Sequence, residues 1–161
     1  MSTRVIPHGL LHRINADVAH HGARDRETGM FLLAPRDAPT ITTLALAGAA
    51  GVTRRRGHFA VSGKALAHLF AHARTNALVV LAQIHSHGGA AFLSEVDLRH
   101  GFAVEGFTTA VIPDYRHPPI DPAAWGWWQH DGHGWQSTPP YSASPGDGHT
   151  ITFDEAMLHA S

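Results

Sequence analysis

His85-Ser86-His87-Gly88-Gly89-Ala90-Ala91-Phe92-Leu93-Ser94-Glu95-Val96-Asp97 is the stretch on which the reading of this chain turns. Residues two apart on a strand point the same way, so His85 and His87 can face one metal ion while Ser86 faces the opposite side. Leu78-Val79-Val80-Leu81-Ala82 runs into the pair with the composition of a buried strand, and should deliver it to a sheet edge or end. With 15 histidines in 161 residues, a His-x-His pair alone is expected by chance. A serine and an aspartate at fixed distances behind it make coincidence the weaker explanation. Ser94-Glu95-Val96-Asp97 also has a purely structural meaning, as a capping box that opens a helix through about Glu105. The two meanings are compatible, because a helix start is a stiff place from which to present a ligand.

Composition narrows the chemistry. The chain is long enough for one domain with a real core, and 43% hydrophobic with 16% charged residues is ordinary globular material. A formal net charge of -1 provides no global field for nucleic acid or anionic lipid. Arg54-Arg55-Arg56 is the one basic cluster, expected as an exposed turn between strands that could touch an acidic partner. Without cysteine there is no disulfide and no thiolate metal site, which leaves imidazole and carboxylate as the strong ligands. No leader and no membrane-length apolar run are visible, so a soluble, cytoplasmic protein is expected. The single lysine, Lys64, against eleven arginines fits codon bias, and would also suit a protein working beside lysine-modifying machinery.

Apolar Leu10, Leu11, Ile14 and Val18 recur at helical spacing between Pro7 and His21, which predicts an amphipathic helix ending near Gly22. Met30 to Ala34 and Thr40 to Leu46 read as strands of a hairpin, and Gly57 to Val61 as a short strand. Ser62 is a good N-cap for a helix carrying Leu66, Leu69 and Phe70 to about Asn76. Phe107 to Ile112 should be a further strand, followed by a proline-rich loop from Pro113 to Pro122. Trp125 to His130 and Gly134-Trp135 flank the turn Asp131-Gly132-His133, a hairpin whose tryptophans serve the core rather than the site. A catalytic domain over residues 1–136 and a Pro/Ser/Gly-rich tail over 137–161 are expected, loose to Gly148 and with Ile151 to Leu158 able to dock. The mixed order of elements favours α+β over a doubly wound sheet.

Two imidazoles and a carboxylate leave a position on zinc open for water, the pattern of a hydrolytic rather than a closed structural site. His85, His87 and Asp97 would be those ligands, and a general base must come from elsewhere. Of the four glutamates, Glu95 and Glu105 lie with Asp97 on the expected helix and Glu155 lies in the tail. Glu27, just ahead of the strand from Met30, is the natural candidate, although a surface charge in the cluster Arg24-Asp25-Arg26-Glu27 is the plainer alternative.

Glu27 before a short apolar strand, His85-x-His87, and Phe92-Leu93-Ser94-x-x-Asp97 together resemble the JAMM (MPN-plus, JAB) metallopeptidases in identity, order and separation. The likeness is strongest to bacterial JAB peptidases that accompany ubiquitin-like proteins and E1-like and E2-like enzymes, some of them in antiphage systems. The resemblance implies an α+β MPN/JAB fold, a cytidine-deaminase-like mixed sheet flanked by helices, with one Zn2+ per chain. It implies cleavage of isopeptide or peptide bonds after the C-terminal glycine of a ubiquitin-like protein, in precursors or conjugates. Carried over by position, Glu27 is the general base and then acid, His85, His87 and Asp97 are zinc ligands, and Ser94 donates to the developing oxyanion. Gly88 stands where the family usually has proline, and the stretch to Ser94 is one residue shorter than in many eukaryotic members. A non-catalytic MPN scaffold would share the fold but is expected to lack some of these five side chains. A histidine-rich metal buffer would instead use pairs such as His20-His21, His68 with His72, and His130 with His133.

Overall fold

The computed structural model describes residues 4–160. β1 (Val5–Pro7) leads into α1 (His8–Gly22), and β2 (Gly29–Ala34) and β3 (Thr43–Ala47) follow as an antiparallel pair. A small hairpin of β4 (Val52–Arg55) and β5 (His58–Val61) precedes α2 (Gly63–Thr75). β6 (Val79–Ser86), α3 (Glu95–His100) and β7 (Thr108–Ile112) form the middle of the chain. After a 3-10 turn at Pro122–Ala124 come β8 (Gly126–His130), β9 (Trp135–Ser137), β10 (Ser142–Ser144), β11 (His149–Phe153) and β12 (Leu158–Ala160).

Eight strands make one mixed sheet in the order β12-β11-β3-β2-β6-β7-β8-β9, with β6 parallel to β7, β3 parallel to β11, and the other neighbours antiparallel. β2 lies inside this sheet and all six of its residues are buried. Its side chains alternate between two layers. Met30 and Leu32 join Leu10, Leu11, Ile14 and Val18 of α1, whereas Phe31 and Leu33 join Ala65, Leu69 and Ala73 of α2. A strand covered on both faces needs an unbroken apolar run, which Met30-Phe31-Leu32-Leu33-Ala34 supplies. Each fully buried aliphatic side chain contributes about 1.5–3 kcal/mol of transfer free energy. The α+β architecture expected from the sequence is thus a mixed sheet between α1 and α2.

The capping box forms as expected at Ser94, but α3 ends at His100 instead of running to about Glu105. Gly101 leaves the helix in extended backbone, and Phe102 packs its ring against Phe31, Phe70 and Phe107 at centroid distances of 5.3–6.0 Å. Tertiary burial of one phenylalanine outweighs the modest helical preference of the residues behind it. The segment from Ser137 to Gly148, read as loose, holds β10, which pairs in parallel with β1. Beyond it, β11 lies parallel to β3 in the main sheet and fully buries Phe153. Arg54 and Arg55, expected in a turn, belong to β4, and Arg54 is only half-exposed. Trp125 and Trp127 stack in the core and donate their indole N–H groups to the carbonyls of Pro119 and Pro122, both at 2.8 Å.

Candidate metal centre

The histidine pair sits where β6 leaves the sheet between β2 and β7. His85 lies in register with Gly29 on one side and Val111 on the other. The Ser86 amide still donates to the Thr28 carbonyl at 3.0 Å and the His87 amide to the Ile112 carbonyl at 2.9 Å, so both neighbours fix the backbone here. Alternation does the rest: Ser86 turns towards Thr28, while both imidazoles turn to the opposite face and are buried. His85 Nε2 and His87 Nε2 lie 3.3 Å apart. Asp97 closes the triangle, with Oδ1 at 3.1 Å from His85 Nε2 and Oδ2 at 3.2 Å from His87 Nε2. A tetrahedral zinc with bonds of about 2.0–2.1 Å has ligand-to-ligand edges of about 3.3–3.4 Å. The donor set and its spacing could hold a metal ion.

The helix start holds Asp97 in place. Its amide donates to Ser94 Oγ at 3.1 Å, and the Ser94 amide donates to Asp97 Oδ2 at 2.9 Å. Burial alone favours a neutral Asp97, but hydrogen bonds from His85, His87 and the Ser94 amide outweigh it and hold the carboxyl well below its usual range. His87 is affected in the opposite sense: burial disfavours its charge, while Asp97 and Glu27 raise its pKa overall. Its other ring nitrogen, Nδ1, lies 3.2 Å from the Ala90 carbonyl, and a bond to that carbonyl would leave Nε2 free to ligate a metal ion. Phe92, half-exposed, stands edge-on to the His87 ring at 4.9 Å.

Glu27 comes to the same place from the entrance of β2. Its ligand oxygen and the ligand ring nitrogens of His85 and His87 lie within 4.8 Å of one another, a buried group that could hold a metal ion. The Glu27 amide donates to the Arg55 carbonyl at 3.0 Å, and the next amide, that of Thr28, donates to Ser86 Oγ at 3.0 Å. Burial pushes the Glu27 carboxyl up to about 7, Asp97 adds to the rise, and His87 opposes it. Glu27, His87 and Ser94 line one cleft of about 340 Å³, so all five side chains singled out in the sequence converge.

Further residues around the centre have roles that the sequence did not reveal. Arg54 reaches in from β4, with Nε donating to Thr28 Oγ1 at 2.8 Å and its two terminal nitrogens donating to the Gly48 and Ala47 carbonyls at 2.6 and 2.5 Å. Thr28 Oγ1 in turn donates to Asp17 of α1 at 3.3 Å. This chain of bonds ties α1, β3 and β4 to the residue beside Glu27. Trp135 lines the cavity behind His85 and Asp97, a role that the core assignment of the tryptophans missed. Gly88 passes so close to Tyr115 that a Cβ there would stand 3.0 Å from the ring, which gives the glycine in this loop a packing reason.

No protein-family model matches the chain. Solved structures do. A protein from Desulfitobacterium hafniense, known from its solution structure, is similar over 89% of this chain and 94% of its own, with a TM-score of 0.66 at 16% identity. A JAB1/MPN domain protein from Archaeoglobus fulgidus is similar over 89% of this chain and all of its own, with a TM-score of 0.51 at 16% identity. The fold is a JAB1/MPN fold. In this fold the convergent group lies where β2, β6 and the start of α3 meet, at one end of the sheet. No helix among the described residues is long and apolar enough to cross a membrane.

Proposed function

We propose that this protein is a JAMM-type zinc peptidase that hydrolyses the isopeptide or peptide bond after the C-terminal glycine of a ubiquitin-like protein. The observation that carries this reading is the meeting of His85, His87 and Asp97 at 3.1–3.3 Å with the Glu27 carboxylate beside them. His85, His87 and Asp97 would hold the zinc, which when bound acts as a Lewis acid on water and on the scissile carbonyl. Glu27 has the pKa of a base that works near neutrality. It takes a proton from the attacking water as the new C–O bond forms, then returns that proton to the amine nitrogen as the C–N bond breaks. The products are a carboxylate and a free amine. Ser94 Oγ accepts the Asp97 amide, which leaves its own hydrogen free to donate to the oxyanion. The resemblance to bacterial JAB peptidases suggests pathway enzymes of the E1-like and E2-like kinds as partners.

Metal analysis of the purified protein, paired with a cleavage assay, tests the reading. One tightly held zinc per chain is expected, absent from His85→Ala and present in Glu27→Ala, together with release of a reporter amine from a ubiquitin-like fusion. Glu27→Ala should lose turnover by at least about a hundredfold. Absence of bound zinc and of cleavage across a panel of ubiquitin-like fusions would make the domain a scaffold. Several weakly held ions would make it a metal buffer.

A further inference from the structure

Six of the eleven arginines lie on the segments that adjoin Glu27 or the cleft: Arg24, Arg26, Arg54, Arg55, Arg56 and Arg116. The first two flank Asp25 immediately before Glu27, and the Arg55 carbonyl accepts the Glu27 amide. Arg56 lines the cleft, and Arg116 follows Tyr115, which lines it too. Few anions answer these charges. Asp17 is taken up inside, by Thr28 and the half-buried Arg54. Asp25, with φ of 56° in a tight turn, is shared by Arg56 at 3.3 Å and Arg116 at 2.6 Å. Arg26 and Arg55 are exposed and, among the described residues, in no ion pair. Of these five exposed guanidinium groups, those of Arg56 and Arg116 are held by one carboxylate and that of Arg24 by His20 Nε2 at 2.9 Å, on a chain whose formal net charge is -1.

We propose that this arginine rim binds a carboxylate-rich segment of the polypeptide brought to the cleft, so that Asp and Glu residues near the reacting bond direct substrate choice. What happens in the cleft rests on the peptidase reading; the binding itself does not. The guanidinium fork matches a carboxylate with two parallel N–H···O bonds, and Asp25 already holds Arg56 and Arg116 as a ready pair. Arg56 lines the cleft itself, so its attraction, which reaches about a Debye length of 8–10 Å, acts on a segment before contact. A peptide can space its carboxylates around Asp25 and Glu27. A nucleic acid, with a phosphate at every step, cannot avoid both, and this favours the peptide.

Fluorescence anisotropy with a fluorescein-labelled hexaglutamate peptide tests the rim without requiring catalysis. Binding is expected to weaken at least about tenfold between about 20 and 200 mM NaCl. The triple reversal Arg55→Glu, Arg56→Glu, Arg116→Glu should weaken it at least about tenfold at low salt, while the remote pair Arg36→Glu, Arg74→Glu should leave it unchanged. The milder Arg55→Gln, Arg56→Gln variant, whose fold is checked by circular dichroism, should fall between. Equal affinity in the triple variant and the wild type, or no binding at all, overturns the proposal. Tighter binding of a single-stranded oligonucleotide, lost with the same arginines, would replace it with a nucleic-acid surface. Peptide binding without hydrolysis of any fusion would leave the rim standing and remove the peptidase; hydrolysis without peptide binding would do the reverse.

Discussion

His85 and His87 point their Nε2 atoms at each other across 3.3 Å, a separation natural for two ligands of one cation and awkward for two free imidazoles. Unless one ring is protonated, two lone pairs face each other with Asp97 as their only shared partner. A divalent cation resolves that conflict, and it binds the folded chain far better than the unfolded one.

Chelation should therefore destabilise the protein. With free zinc at about a thousandfold its dissociation constant, linkage gives about 4 kcal/mol, or a midpoint drop of roughly 8–16 °C for a chain of this size. His85→Ala should show the lower midpoint from the start and no response to chelator. A thermal melt in calorimetry reads this directly. Equal midpoints with and without chelator would mean that the centre does not hold a metal.

Ser94 combines two duties that substitution can separate. Its Oγ caps α3 by accepting the Asp97 amide, and the residue lines the cleft shared with Glu27 and His87, where its hydroxyl hydrogen is free to donate. Ser94→Ala should cost about 1 kcal/mol of stability and lower kcat about 10²- to 10³-fold. Ser94→Asp restores a cap but offers no hydroxyl, so it should recover stability and leave kcat low. Recovery of turnover by Ser94→Asp would show that the cap alone matters.

Why so much of the site was legible is a matter of locality. His85, His87, Ser94 and Asp97 fall within thirteen residues, and strand alternation and the capping box are short-range rules that fix their directions. Glu27 lies far away in sequence, and only its bond to β4 and the pairing of the next residues with β6 show that it is a buried charge rather than a surface one. Arg54 was misread for the same reason: three arginines in a row look solvated until the Ala47 and Gly48 carbonyls are known to lie beside them. The end of α3 and the strands β10 and β11 depend on Phe102 and Phe153 finding distant partners, which helical and turn preferences do not encode.

Arg54 should act as a positioning residue for Glu27. Arg54→Met leaves the Thr28 hydroxyl and two carbonyls without their donor and Asp17 without a nearby positive charge, a loss of about 2–4 kcal/mol. Hydrogen exchange at the Glu27 amide, whose acceptor sits on β4, should quicken, and kcat should fall more than KM rises. Arg54→Lys should restore part of both, since one cation can still reach the carbonyls. If Arg54→Met lowers stability but leaves exchange at Glu27 and kcat unchanged, the residue is a fold anchor only.

His21 predicts how the fold responds to acid. Burial, with the charges of Arg54, His20, Arg24 and Arg26 adding to it, pushes the imidazole down to about 4, against an ordinary value near 6.5. Between those values the unfolded chain binds a proton that the folded chain does not. Stability from this group is therefore complete above about pH 6.5 and is lost as pH falls towards about 4, with a slope of at most about 1.4 kcal/mol per pH unit. The side chain is 20% exposed, so solvent screening reduces the total below the limit of about 3 kcal/mol. His21→Gln keeps a polar group there and removes the proton site. Denaturant unfolding of both chelated proteins at steps between pH 4 and 7 isolates the effect, because every other titrating group is common to the two. The wild type should lose stability relative to His21→Gln as pH falls through this window; a constant difference would show that His21 takes up its proton in the folded state as readily as in the unfolded one.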